Sequence, residues 1–180
     1  KYSEASKAFY DSVFHFPKPT IAMIKGYCIG GGMGLAVACD IRLCEDKSRF
    51  AIPAAKLGLG YGYEGIRRLA NLVGPAMVKE IFFTARQFSA GEAQEMGLVN
   101  RVLPPHMLAP YVDDYAKRIS ENAPMTMESV KAIVQAIQDD ESARDLDALD
   151  AMVKACFASQ DYIEGRRAFM EKRKPNFTGS

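Results

Sequence analysis

The sequence predicts an α/β fold, with strand and helix layers stacked in the first part of the chain and helices alone in the last. Three observations carry this. Up to Pro104, short apolar runs bounded by Gly or Pro alternate with segments of helical periodicity. Beyond Pro104-Pro105 every apolar pattern has helical spacing. The chain has 180 residues, 48% hydrophobic and 25% charged, which suits one sizeable domain with a real core. The shift at Pro104-Pro105 divides it into residues 1–103 and 104–180. No internal repeat or low-complexity tract interrupts either part.

The elements follow in order. Residues 3–16 place Ala5, Phe9, Val13 and Phe14 at helical spacing, and Pro17 ends that helix. TIAMIKGYCIG (20–30) opens with a short apolar run bounded by Gly26, as a buried strand does. GGGMGLAVACD (30–40) passes from glycines into a helix of small apolar residues. IRLCED (41–46) and RFAIP (49–53) read as strands, the second closed by Pro53. Helices then run over 64–74, ending at Gly74, and over 75–84, opening with Pro75. In SAGEAQEMG (89–97), Ser89 and Glu92 have capping-box spacing and Gly97 terminates the helix. LVNRVLP (98–104) reads as an edge strand, and four helices follow at 107–121, 125–138, 142–159 and 161–172. Two of them, MTMESVKAIVQAI and LDALDAMVKACFAS, are amphipathic enough to pack in the core or to cover a neighbouring subunit.

Composition excludes several function classes. Lys+Arg 23 against Asp+Glu 22 leaves a net charge of +1, so neither nucleic acid nor a membrane surface is attracted in bulk. Basic residues collect only in Arg166-Arg167 and Lys172-Arg173-Lys174, as a solvated tail or an anion contact. Cys28, Cys39, Cys44 and Cys156 lack metal-site spacing and read as free thiols in a reducing compartment, so no metal is expected. No apolar run is long enough to cross a bilayer, and no signal peptide is seen. His15 and His106, the two histidines, have no Ser, Cys or acid at telling spacing, which argues against a His-based triad.

Two glycine-rich stretches can bear chemistry. Gly30-Gly31-Gly32 lies where a strand turns into a helix, and helix N-termini offer unsatisfied N–H groups that attract anions. The ligand could be a phosphate or an oxyanion developing on a carbonyl, and a tight turn alone is a third reading. No G-K-[ST] follows, and no G-x-S-x-G or S-x-x-K places a nucleophile there. GLGYGYEG (58–65) matches G-x-G-x-x-G but does not directly follow a core strand, because Pro53 and Lys56 intervene. A dinucleotide reading is therefore disfavoured. Two tyrosines and Glu64 in the same loop are ionisable in their own right.

KPTIAMIKGYCIGGGMGLAVACDIRLC, FAIPAAKLGLGYGYEGIRRLANLVG, ARQFSAGEAQEMGLVNRVLP and EGRRAFMEKRKPNF together resemble the enoyl-CoA hydratase/isomerase (crotonase) superfamily. The resemblance is continuous over residues 17–177. It implies a crotonase-like ββα spiral core with a helical C-terminal subdomain. It also implies an acyl-CoA thioester substrate, with coenzyme A entering only as part of it and no separate cofactor. Assembly as a homotrimer or hexamer is implied, in the cytoplasm or, in a eukaryote, the mitochondrial matrix. Gly31 matches the position whose backbone N–H binds the thioester oxyanion. The second N–H donor belongs to a segment expected ahead of Lys1, so a longer chain is expected. Cys28, Gly30, Pro53, Ala54, Leu57 and Gly62 match substrate-binding positions, and Phe169 and Lys172 match the part that contacts the CoA nucleotide.

The pattern departs from the hydratases at the two glutamates that activate water, where this chain has Gly34 and Ala54. Neither residue can exchange a proton. Leu57–Ile66 instead fits the L-G-x-x-Y-x-x-x-G-I pattern of some decarboxylase members, with Tyr61 on their tyrosine. Glu64 is the candidate for the single acid of isomerase relatives, two residues beyond its usual place. The resemblance thus implies an isomerase or decarboxylase more than a two-glutamate hydratase. The alternatives are a hydratase-like protein of little activity, or a protein that binds CoA esters or serves in assembly.

Overall fold

A computed structural model describes residues Tyr2–Ser180; Lys1 lies outside them. The chain forms two compact units. One takes in the residues up to Phe16 and Thr20–Asp113; the other is Pro17–Pro19 with Asp114–Ser180.

The first unit is built from strands shared between two sheets. Helix α1 (Tyr2–Phe14) is followed by β1 (Ile21–Ile24), β2 (Tyr27–Ile29) and α2 (Gly31–Ala38). The pattern repeats with β3 (Ile41–Glu45), β4 (Arg49–Ala51), the short α3 (Ala54–Leu57) and α4 (Tyr63–Thr84). Then come β5 (Phe88–Ser89), α5 (Ala90–Glu95) and β6 (Arg101–Leu103). One sheet has the order β1-β3-β6, all parallel, with Ile21 opposite Ile41 and Leu43 opposite Arg101. The other has the order β2-β4-β5, with Cys28 beside Phe50 in a parallel pair and Phe88 beside Phe50 in an antiparallel one. The strand pairs β1/β2 and β3/β4 therefore each turn from one sheet to the other before a helix closes the layer. This is the ββα winding of a crotonase-like spiral.

The sequence reading finds β1, β3, β4 and β6, and β6 does lie at a sheet edge. It passes over β2, β5 and α3, which have only three, two and four residues. At the centre lie Cys28, Met33, Cys44, Phe50, Leu69, Ile81, Phe88 and Leu98, all nearly inaccessible. Gly74, at φ 78 and ψ 161, breaks α4 just before Pro75, so the two helices expected there meet at a kink. Ser89 and Glu92 form the expected capping box. In α1, Phe9 is 52% exposed while Tyr10 is half-buried, so the inward face is turned one residue from the apolar pattern.

α6 (Pro105–Ser120) begins in the first unit, anchored by the fully buried Leu108, and the division falls at Asp113, past Pro104-Pro105. In the second unit, α7 (Pro124–Gln138), α8 (Leu146–Ala158) and α9 (Gln160–Met170) follow, with a 3-10 turn at Glu141–Ala143. Among the described residues no helix is long and apolar enough to cross a membrane.

Candidate functional site

The glycine corner of the first unit is set by backbone geometry. Gly30 takes φ 57 and ψ −113, which favours glycine, and its N–H donates to Ala51 O at 3.0 Å. That bond ties the end of β2 to the end of β4 and turns the chain into α2. Gly31 begins the helix on an exposed surface, so its N–H belongs to the unsatisfied first turn. Tyr10 of α1 reaches this corner from 21 residues away. Its phenol donates to Gly31 O at 3.2 Å, and its ring Cζ lies 3.0 Å from where a Cβ on Gly34 would stand.

The other site candidates line up along the connection from β4 to α4. Pro53 is the N-cap of α3, and Ala54 is 4% exposed in the core cluster. Leu59 N–H donates to Ala54 O at 3.0 Å, with Gly58 in the left-handed region at φ 62. Leu57, Leu59 and Tyr63 are 74%, 61% and 70% exposed, an apolar loop surface. The turn itself needs a glycine at Gly58; Gly62 is an extended N-cap at φ −72 and does not. Gly65 is required for a different reason: a Cβ there would stand 2.7 Å from Tyr61 Cε1.

Tyr61 is half-buried, packs against the core and meets Phe82 edge-on at 5.0 Å. Burial, and then the neighbouring Tyr10 phenol, raise its pKa, so at neutral pH it is a hydrogen-bond donor. Glu64 Oε2 accepts from Arg67 Nη2 at 2.7 Å and from Arg67 Nε at 3.1 Å. This carboxylate is engaged in an ion pair on its own helix. Cys28, expected among the substrate contacts, is 4% exposed with its thiol pushed up to about 11 by burial. Its side chain is core, and only its backbone can meet a ligand without opening the unit.

Sequence reasoning missed Tyr10 and the group beside it. Arg68 is 7% exposed, pairs with Asp11 at 2.6 Å and stacks over Phe14 at 4.2 Å, while its Nε has no hydrogen-bond partner. The one local signal was Tyr10, Asp11 and Phe14 sharing a helix face, which the apolar count over Phe9 obscured. Among the described residues no group of three or more His, Cys, Asp or Glu side chains is placed to hold a metal ion.

The second unit carries the basic tail. Phe169 on α9 is 84% exposed, and Lys172 follows the helix at φ 54, a left-handed position for a residue with a side chain. Arg173 is held by Glu164 at 2.6 Å and 2.9 Å. Buried Asp161 accepts from the N–H groups of Thr178 and Gly179 at 2.7 Å and 2.9 Å, which fastens the tail across α9. An apolar cavity of about 570 Å³ opens beside it, lined by Ile133, Val153, Phe157, Phe169 and Phe177 among others.

Residues 1–180 match the Enoyl-CoA hydratase/isomerase family model from end to end. The chain belongs to that family. Among curated members it is 41% identical over 162 residues to the crotonyl-CoA hydratase of Syntrophomonas wolfei, covering 89% of this chain and 62% of that one. It is 36% identical over 171 residues to the carnitinyl-CoA dehydratase of Salmonella arizonae, covering 93% and 66%. The crystal structure of an enoyl-CoA hydratase/carnithine racemase from Magnetospirillum magneticum superposes with a TM-score of 0.86 at 35% identity. That match covers 95% of this chain and 63% of the other. The chain thus spans about two thirds of the length of the relatives it matches.

Proposed function

We propose that this chain carries the acyl site of an acyl-CoA enzyme whose chemistry runs through a thioester enolate, of isomerase or decarboxylase type rather than two-carboxylate hydration. One observation carries this reading. At the two positions where the resemblance expects the hydratase glutamates, Gly34 lies under the Tyr10 ring and Ala54 is buried in the core. Neither position offers a carboxylate, and a side chain at 34 would have to displace Tyr10. What remains at the site is an N–H donor at Gly31 and a protonated phenol at Tyr61.

These groups suit enolate chemistry. A Gly31 N–H aimed at the thioester oxygen, with the second donor expected from another segment, would hold the negative charge that develops there. In decarboxylation the bond between the α-carbon and its carboxylate breaks, its electron pair enters the enolate, and carbon dioxide leaves. The Tyr61 phenol would orient that carboxylate. Proton shuttling by Glu64 is the isomerase variant and requires its release from Arg67. Phe169 and Lys172 are the proposed CoA nucleotide contacts, and a homotrimer or hexamer is the proposed assembly. The names of the curated relatives favour a second reading, a hydratase-like protein, whose activity Gly34 and Ala54 would keep weak.

The test is turnover of β,γ-enoyl- and malonyl-type CoA esters by the whole protein and its Tyr61→Phe and Glu64→Gln variants. Tyr61→Phe should lower kcat on the malonyl-type ester roughly a hundredfold, the scale of a lost transition-state donor. Unchanged turnover in both variants would remove both residues from the mechanism.

A further inference from the structure

Tyr10 lies outside every motif of the sequence, yet it reaches the glycine corner at the start of α2. Its phenol oxygen is 3.2 Å from Gly31 O and 3.2 Å from where a Gly31 Cβ would be. Its ring Cζ and Cε2 lie 3.0 Å and 3.2 Å from the Cβ that Gly34 lacks. The ring thus fills the space that a position-34 side chain would occupy. Its hydrogen bond to Gly31 O is long for an O–H donor and lies on an exposed surface, so a better acceptor can take that hydrogen at little cost. Tyr61 is close enough to feel the Tyr10 phenol, which is the second cause of its raised pKa. The Tyr10 phenol thus stands beside the N-terminus of α2, a positive helix end, and the Tyr61 phenol lies on the loop that leads into α4. A carboxylate is the acceptor that such a set favours, because a charged acceptor roughly doubles the strength of each hydrogen bond.

We propose that Tyr10 is a specificity-determining residue of the acyl site, whose phenol takes the place of a position-34 side chain and, with Tyr61, grips a carboxylate on the acyl group. This rests on the acyl-CoA reading above. It goes further in giving the α-carboxylate of that substrate a second phenol contact, Tyr10, and in giving Gly34 a purpose. Gly34 is the residue that admits Tyr10.

The test is calorimetric binding of malonyl-CoA and of butyryl-CoA to the whole protein and to Tyr10→Phe, which keeps the ring and the fold. The wild type should prefer malonyl-CoA. Tyr10→Phe should weaken malonyl-CoA about tenfold, as loss of one charge-assisted hydrogen bond does, and leave butyryl-CoA within about twofold. Gly34→Ala, whose Cβ pushes on the ring, should reduce the same preference. The double variant should lose no more than the worse single one, because both act through one phenol. Equal loss of both esters, no loss of either, or additive losses would each overturn the role of Tyr10. A wild type that binds malonyl-CoA and butyryl-CoA with unchanged affinity in Tyr10→Phe overturns the Tyr10 proposal alone. A wild type that binds neither ester overturns the acyl-CoA reading and this proposal with it.

Discussion

Arg42 is 4% exposed, and its guanidinium donates to Leu98 O at 2.7 Å and to Cys39 O at 2.6 Å. A third bond, to Ala36 O, is 3.2 Å long. These carbonyls lie at the end of α2 and just before β6, so one side chain ties together segments distant in sequence. Desolvation lowers its pKa, yet the carbonyl cage keeps a cation in place. Arg42→Met fits the volume but leaves buried carbonyls unpaired, so denaturant unfolding should show a loss of about 3 kcal/mol. A loss within about half a kcal/mol would mean that the cage relaxes without it. The same scale explains why part of the site was not legible in the sequence. Gly30 and Gly31 can be read from their neighbours, because a strand, three glycines and a helix are adjacent. Tyr10 meets Gly31 across 21 residues, and Asp11 meets Arg68 across 57, distances at which no local pattern operates.

The elements that were legible are those long enough to show a period or to carry a terminator. Gly74, Ser89 and Gly97 mark real helix boundaries or breaks because each solves a local backbone problem. β2 and β5 exist only through pairing with β4: β5 has two residues, too few to display alternation, and β2 follows β1 after only Lys25 and Gly26, so neither stands apart in the sequence. The tail on α9 yields a prediction at this scale. Arg173, and then the Asn176 N–H, hold the Glu164 carboxylate at a pKa of about 2, against 4.5 ordinarily. The unfolded chain therefore binds the extra proton first as pH falls, and the stabilisation is complete above 4.5 and lost towards 2. Glu164→Gln should lower the thermal midpoint at neutral pH, and the gap from wild type should close across that acid window. A gap independent of pH would show that packing, not charge, holds the tail.

For the whole molecule, the fold and the family follow from the ββα winding and from a match over residues 1–180, whereas the reaction turns on single positions within that frame. A spiral of this kind can present a backbone N–H at Gly31 whatever chemistry surrounds it. Gly34 and Ala54 bear no acid, while Tyr10 and Tyr61 bring phenols. The central claim is therefore that enolate formation, and not water addition, is the favoured reaction. The most direct measurement is a side-by-side assay of the whole protein on crotonyl-CoA and on malonyl- and β,γ-enoyl-CoA esters. The account predicts negligible hydration of crotonyl-CoA with measurable decarboxylation or double-bond migration. Efficient hydration of crotonyl-CoA, with neither of the other reactions, would contradict it.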